Sequence, residues 1–420
     1  MLWLDSYYSP VGLLKYKEGV NLKRIISILV AFALFLATVS FISHQQKALD
    51  EVDLEIMRYD LSPAKQDNVE LLGQLLDQNT VLTMGSSELS TIGESTHPVQ
   101  FYKDGQHEFD LVLLGQGYTQ CLNQAISLAA LAPSMENKQV VLILSAQWFT
   151  EDHIDPGAFA SVFRINMYRE MLRNPDLSDQ LKMQMIERCH EILGQDDVLT
   201  ERLKVQEQLY WNHSANILEQ ATEMIRAPFL EYQRSYQVRK HTKDIKDDLD
   251  WEQYLVDRPF ELDGKSATCI SFEKRMEVAE MEGRASVTNN DFGIEDDYYN
   301  EYMKDSYEER KDSEVDSRFT VSKEYDDLNL FLDVCDELGI EPMLVSVPVN
   351  GYWYDYTGFP SEEREGYYQN IVNICDQRDV QLLDLSAYEY TDYVLRDIMH
   401  LGWKGWVFIE YEIEQFYKHH

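Results

Sequence analysis

A long apolar run near the amino terminus constrains this chain more than any other sequence feature. Residues 25–42 read IISILVAFALFLATVSFI and contain neither a charged residue nor a proline. A helix of this length spans about 27 Å at 1.5 Å per residue, enough to cross the apolar core of a slightly thinned bilayer. The sequence therefore predicts a single transmembrane anchor over residues 25–43.

The charges that flank this run predict its orientation. Four basic residues precede it and a single one closely follows it: Lys15, Lys17, Lys23 and Arg24 before, and Lys47 after. The positive-inside rule then places residues 1–24 in the cytoplasm and the remainder outside the cell membrane. A cleaved signal peptide is the alternative, but no A-x-A cleavage site follows the run, which favours an uncleaved single-pass anchor.

Composition excludes several classes of protein. The chain has 37 Lys and Arg against 74 Asp and Glu, a formal charge of −37, so we expect no nucleic-acid partner. With 44% hydrophobic residues it is too apolar to be mostly disordered. The cysteines lie far apart without a CxxC pair, which argues against a zinc site or a dense disulfide scaffold: Cys121, Cys189, Cys269, Cys335 and Cys375.

Short apolar runs separated by helix-length stretches predict an α/β domain with a parallel sheet. The predicted strands are residues 80–84, 110–114, 140–144, 342–347 and 380–385. We expect a helical stalk over 44–76 and one sheet domain formed by 77–155 and 325–420. A helical insertion over 156–324 would interrupt the sheet domain between its third and fourth strands.

The insertion has two kinds of sequence. Long polar stretches over 181–193 and 201–226 predict helices. An acidic, tyrosine-rich segment follows over 289–318, and such a charge run is typical of a solvated or mobile loop. The loop at Asp152, His153 and Asp155 offers too few ligands for a metal, so we expect neither a metal nor a cofactor.

The first predicted strand runs directly into Gly85-Ser86-Ser87-Glu88. A glycine at a strand end permits a sharp turn, and a serine there would lie at the carboxyl edge of the sheet, where open α/β folds bind ligands. Such a serine is a nucleophile if a base lies nearby. The alternative is that Ser86 or Ser87 only caps the following helix.

A second candidate group lies near the other end of the chain. Asp397 precedes His400 by three residues, and an aspartate at that spacing can orient an imidazole that accepts a serine proton. A surface turn explains many such pairs. The order of the pieces is more specific, because a serine after the first strand and a late D-x-x-H resembles the layout of SGNH or GDSL hydrolases, with Gly85 and Ser87 matching Gly and Ser of that motif.

Such a site also needs hydrogen-bond donors for an oxyanion. The turn after the second strand offers Gln116, Gly117 and Gln120, and the third strand is followed by Gln147. The glutamines are equally explained as ordinary polar residues at strand ends. The aromatic residues Trp353 and Tyr354 either line a substrate groove or serve packing.

Several motifs together resemble the DltD family, the membrane-anchored proteins of teichoic acid D-alanylation in Gram-positive bacteria. They are the anchor, GSSELS at 85–90, the Gly-Gln turn at 115–120, SAQWF at 145–149, PVNGYWYDYTG at 348–358 and HLGWKGW at 400–406. Ser86 occupies the position of the aspartate in the general Gly-Asp-Ser motif, and Ala146 stands where proline is expected in relatives.

The resemblance implies a flavodoxin-like, SGNH-like fold and a catalytic triad of Ser87, His400 and Asp397. Ser86, Gln116, Gly117, Gln120, Gln147, Trp353 and Tyr354 would then stabilise the oxyanion or bind substrate. It also implies serine-dependent transfer of D-alanine to lipoteichoic acid, with a D-alanyl carrier protein and a membrane O-acyltransferase as partners. A thioesterase or O-acetylesterase, and a non-catalytic scaffold that recruits those partners, remain open alternatives.

The charge of the chain opposes long-range attraction to a polyphosphate such as lipoteichoic acid. A local positive spot around Lys404 or screening by cations would reduce the repulsion. Tethering of both molecules to one membrane is the interpretation we prefer, since it raises their local concentration.

Overall fold

A computed structural model of the chain describes residues 11–47, 52–90, 95–102, 108–151, 154–194, 197–248 and 271–419. The chain divides into two compact units, Met1–Val52 and Asp53–His420. The first unit contains helix α1 (Val11–Lys47). Within it, Leu22–Phe41 has a mean hydropathy of 2.2 and no buried side chains, so this segment is long and apolar enough to cross a membrane.

The second unit is built on a parallel five-stranded sheet. Its strands are β1 (Thr80–Gly85), β2 (Asp110–Gly115), β3 (Gln139–Ser145), β4 (Glu341–Val347) and β5 (Gln381–Asp384). Their order is β2-β1-β3-β4-β5, and every neighbouring pair is parallel. This is the flavodoxin-like strand order, so the predicted fold class is confirmed.

Both faces of strands β1 to β4 are largely buried, which explains why these strands read as continuous apolar runs. On one face Val81, Val141 and Val345 share a core cluster with Trp406 and Phe416 of the last helix. Neighbouring residues of opposite parity along the central strands are also buried.

Helices surround the sheet, and among the described residues α7 to α14 fall between β3 and β4. The helices of the second unit are α2 (Leu54–Tyr59), α3 (Pro63–Gln66), α4 (Val69–Leu75), α5 (Pro98–Phe101), α6 (Cys121–Leu131), α7 (Pro156–Val162), α8 (Ile165–Arg173), α9 (Asp179–Leu193), α10 (Asp197–Gln206), α11 (Ile217–Asp248), α12 (Phe272–Ser286), α13 (Asp296–Tyr298), α14 (Glu324–Leu338), α15 (Gly351–Tyr356), α16 (Ser361–Arg378) and α17 (Trp403–Lys418).

The continuous helix predicted over 201–226 is interrupted in the structure. After α10 the chain forms one π-helical turn, Glu207–Trp211, and α11 starts only at Ile217. Asn216 begins the new helix, because its side-chain oxygen accepts the backbone N–H groups of Leu218 and Glu219 at 2.9 and 3.0 Å. An asparagine at this position is a strong helix start signal.

Residues 54–75, assigned to a stalk by the sequence, form three short helices inside the second unit. Arg58 donates to the carboxylates of Asp77 and Asp110 at 3.0 and 2.6 Å, which ties α2 to the edge strand β2. Lys65 is fully buried, and its ammonium group donates to three backbone carbonyls, including that of Leu113 in β2. These contacts make the segment part of the sheet domain.

Candidate active site

The end of β1 places Ser87 at the carboxyl edge of the sheet. Ser87 begins a short 3₁₀ turn, Ser87–Ser90, directly after the strand. The turn lies where β1 is flanked by β2 and β3, which is the topological switch point of this strand order. A Cβ atom on Gly115 would lie 2.3 Å from the carbonyl oxygen of Gly85, so only glycine permits the two strand ends to approach this closely.

Asp397 and His400 lie on a tight loop before α17. The loop is closed by an antiparallel bridge between Leu395 and Leu401. The Asp397 carboxylate is fully buried, and its Oδ1 accepts the backbone N–H groups of Met399 and His400 at 2.9 and 2.8 Å. Its Oδ2 lies 2.7 Å from Nδ1 of His400. This geometry places the proton on Nδ1 and leaves Nε2 of the neutral ring as an acceptor.

The other ring nitrogen of His400 faces the serine. Nε2 of His400 lies 2.8 Å from Oγ of Ser87, although 313 residues separate them in the chain. Burial lowers the pKa of His400, but the hydrogen bond and charge of Asp397, together with the charge of Glu88, raise it above its ordinary value. The three side chains therefore form one continuous hydrogen-bonded chain from carboxylate to hydroxyl.

Asn350, which the sequence analysis did not single out, holds the Asp397 loop. It is buried in the loop that follows β4, and its Nδ2 donates to the carbonyls of Phe292 and Asp397 at 3.0 and 3.3 Å. Its Oδ1 accepts the backbone N–H of Trp353 at 3.0 Å. The sequence signal was available, since a polar residue in the loop that follows a buried parallel strand lies at the edge of the sheet that binds ligands.

The acidic segment over 289–318 also contacts the loop that carries Asp397. This packing differs from the solvated or mobile loop that the sequence predicts for the segment. The backbone N–H of Glu295 donates to the carbonyl of Arg396 at 2.8 Å, and the two side chains form an ion pair. Ile294 and Met303 are buried in a cluster with Trp353. The tyrosines and apolar residues scattered among the charges supply this buried surface, which net charge alone conceals.

A cavity of about 530 Å³ lies against the loop residues between Asp397 and His400. Its wall includes Met399, the neighbour of His400, and Gln147 after β3. Trp353 and Tyr354 contribute an aromatic side, so they both pack and line a groove. Arg310 and Arg318 bring cationic groups to the same cavity. The space is large enough for a small acyl group and part of an acceptor.

The predicted oxyanion and substrate residues differ in their surroundings. Gly117 lies beside Ser87, because a Cβ built on it would be 3.7 Å from Cβ of the serine. Ser86 donates its hydroxyl to the Gln116 carbonyl at 3.4 Å, which holds the two strand-end turns together. Within the described part of the chain, the buried Nε2 of Gln147 has no hydrogen-bond partner. A substrate oxygen is the kind of group it lacks.

Gln120 has a different environment. Its Nε2 donates to the carboxylate of Glu324 at 3.3 Å, and the same carboxylate accepts the backbone N–H of Cys121 at 2.7 Å. Gln120 therefore helps to join α6 to α14. Asp152 and His153 lie outside the described residues, and Asp155 caps α7 by accepting the N–H of Ala158 at 2.6 Å.

Comparison with known sequences assigns the chain to a family. Residues 58–418 match the sequence profile of the family described as DltD protein. The chain belongs to the DltD family. It is 30% identical to Protein DltD of Bacillus subtilis (strain 168) over 85% of this chain and 88% of that protein. It is also 24% identical to Protein DltD of Staphylococcus aureus (strain NCTC 8325 / PS 47), over 95% and 96% of the two chains.

DltD membership confirms the resemblance drawn from the sequence motifs and carries a role in the D-alanylation of teichoic acids. The matched region begins at residue 58, within α2, and ends at residue 418, the last residue of α17. It includes the β1 turn, the loop with Asp397 and His400, and the insertion. All residues of the site described above therefore belong to the family region.

Proposed function

We propose that this DltD protein is a membrane-anchored serine acyltransferase that moves D-alanine onto lipoteichoic acid outside the cell membrane. The observation that carries the proposal is the hydrogen-bonded chain Asp397–His400–Ser87, with distances of 2.7 and 2.8 Å. A nucleophile, its base and an orienting carboxylate at these distances are the parts required for acyl transfer through an acyl-enzyme.

The first half of the proposed reaction forms the acyl-enzyme. His400 Nε2 takes the proton of Ser87 as Oγ attacks the carbonyl carbon of a D-alanyl ester or thioester. The N–H of Gly117 and the amide of Gln147 are the donors we assign to the developing oxyanion. The imidazolium then gives its proton to the leaving group, and D-alanine stays on Ser87 as an ester.

The second half regenerates the serine. A hydroxyl of the acceptor enters the site, loses its proton to Nε2 of His400 and attacks the D-alanyl ester. The acceptor leaves with D-alanine, and the proton returns to Ser87. Water in place of the acceptor would give a thioesterase or esterase with the same triad, so the balance between transfer and hydrolysis depends on what fills the cavity beside Met399.

We propose that tethering to one membrane brings this acidic protein and the phosphate polymer together. Lys404, a candidate for a local positive spot, forms an ion pair with Glu280 at 2.5 Å and is already neutralised. A protein and an acceptor anchored in one membrane leaflet have a high effective concentration without long-range attraction. The D-alanyl carrier protein and the membrane O-acyltransferase would act upstream as partners.

Replacement of the serine tests the proposal. We expect full-length Ser87→Ala, expressed in a DltD-deficient strain, to abolish D-alanine esters on lipoteichoic acid, because the acyl-enzyme cannot form. Ser161→Ala removes an exposed hydroxyl on α7 and serves as the matched control. Mass spectrometry of the wild-type protein, trapped with its upstream partners, should find a D-alanyl adduct on Ser87.

Two results would contradict this assignment. Normal D-alanine ester content with Ser87→Ala would favour the scaffold, which recruits partners without chemistry of its own. An adduct that is released only to water, with none passed to an added acceptor, would favour a thioesterase or esterase.

A further inference from the structure

Glu88 is a buried acid next to the reactive serine that the triad does not include. Its residue is 2% exposed, and Oε1 accepts the backbone N–H of Ser86 at 2.6 Å. The other oxygen, Oε2, is buried and has no hydrogen-bond partner among the described residues. Burial of a carboxyl group costs free energy unless hydrogen bonds or opposite charges compensate for its lost hydration.

The carboxyl group folds back over the strand end. A Cβ atom on Gly85 would lie 2.5 Å from Oε1 of Glu88, so the turn has room for this acid only because residue 85 is glycine. The hydrogen bond to Ser86 then fixes the peptide that precedes Ser87. Gly85, Ser86 and Glu88 thus form one unit around the serine.

The charges of Glu88 and His400 also influence each other. The charge of Glu88 is one of the causes that raise the pKa of His400. Burial raises the pKa of Glu88, and the charge of His400 partly offsets that rise. The other charged groups facing His400 are Asp397, which favours the imidazolium, and Arg396, which opposes it. His97 is buried close to the backbone of Glu88, and burial lowers its pKa to about 3, so it brings no charge.

We propose that Glu88 is a positioning residue that fixes the Ser86–Ser87 peptide and supplies a second negative charge to the His400 imidazolium. The inference rests on the proposed acyl transfer, in which His400 becomes positively charged in each half-reaction. Asp397 stabilises this cation through Nδ1, and Glu88 in its ionised form adds a second negative charge.

Two substitutions separate the two roles. Glu88→Gln keeps an oxygen for the Ser86 N–H but removes the charge, whereas Glu88→Ala removes both. Glu201→Gln, on a side chain that is 70% exposed, is the matched control. The measurements are the NMR titration of the His400 imidazole and the pH dependence of Ser87 labelling by a fluorophosphonate, both on the full-length protein in detergent.

We expect Glu88→Gln to lower the pH at which His400 titrates and to shift the acid limb of labelling in the same direction. Glu88→Ala should add a fall of at least about tenfold in the labelling rate at the optimum pH, since the serine peptide loses its anchor. Neither measurement needs a D-alanyl substrate. The proposal can therefore fail while D-alanyl transfer stands, and the reverse.

An unchanged His400 titration in Glu88→Gln would overturn the electrostatic role. A normal labelling rate in folded Glu88→Ala would overturn the positioning role. If Glu88→Ala does not fold, Gly85→Ala tests the same contact, because its Cβ would displace the Glu88 carboxyl group while leaving the acid in the chain. Labelling at the wild-type rate in that variant would count against positioning.

Discussion

Each ring nitrogen of the His400 imidazole has a defined partner. Asp397 accepts from Nδ1 and from two backbone N–H groups, so its carboxylate cannot turn away from the ring. The Ser87 hydroxyl faces Nε2. Asp397 holds one ring nitrogen and Ser87 faces the other. The imidazole therefore has one orientation and one tautomer that can accept the serine proton.

Asp397→Asn tests this orientation. The near-isosteric amide fits the same space, but its NH₂ group in place of Oδ2 would oppose the Nδ1 proton and favour the wrong tautomer. We expect D-alanyl transfer to fall by up to about 10⁴-fold, the loss seen when a protease triad is altered in this way. The loss would be measured in a reconstituted transfer assay, with circular dichroism to verify folding. Near-normal transfer by folded protein would show that Asp397 is only a turn residue.

The pH dependence follows from the direction of the His400 pKa. The base must be neutral to accept the Ser87 proton, and its pKa is raised above the ordinary 6.5. Activity should therefore be fully present on the alkaline side and fall as the pH drops through the raised pKa, with an acid limb above pH 6.5. A kcat/KM profile measured from pH 5 to 9 checks this, and an acid limb below pH 6 would contradict it.

At the scale of elements, the acidic segment over 289–318 and the loop after β4 brace the base. Asn350, in the loop after β4, joins both to the base, because it donates to Phe292 in the segment and to Asp397 in the loop before α17. The segment adds a backbone hydrogen bond from Glu295 to Arg396. A stretch that is charged enough to suggest a solvated loop thus supports the site through its backbone and its apolar residues.

Asn350→Ala removes both donors without adding volume. We expect transfer to fall by about 10²-fold, as a misplacement of about 1 Å costs in other active sites, and stability to fall by about 1–3 kcal/mol. Asn373→Ala, an exposed asparagine on α16, is the control. Transfer assays and thermal unfolding measure the two effects. An equal loss of activity in both variants would argue against a specific role for Asn350.

At the scale of the whole molecule, the apolar helix and the sheet domain belong to two separate units. The flanking charges predict that the domain carrying Ser87 lies outside the cell membrane. We expect protease added to intact protoplasts to remove a carboxyl-terminal epitope tag while an amino-terminal tag stays protected. Lysed protoplasts, in which both tags should be lost, are the control. Protection of the carboxyl-terminal tag in intact protoplasts would reverse the orientation.

Sequence patterns alone were enough to locate the apolar amino-terminal segment and the strands and to identify the family. The strands were predictable because both faces of a parallel sheet are buried, which leaves continuous apolar runs bounded by turns. Ser87, Asp397 and His400 could be nominated because the order of their motifs resembles that of a family. Local patterns are sufficient for these features, because each depends on residues that are close together in the sequence.

Contacts between residues that are distant in the sequence could be seen only in the folded chain. It brought His400 to 2.8 Å from Ser87, directed Gln120 to Glu324, and placed Asn350 and Glu88 beside the triad. It also packed the acidic segment and residues 54–75 against the sheet domain. These contacts join residues far apart in the chain, and their free energy comes from burial and hydrogen bonds that exist only once the sheet has formed.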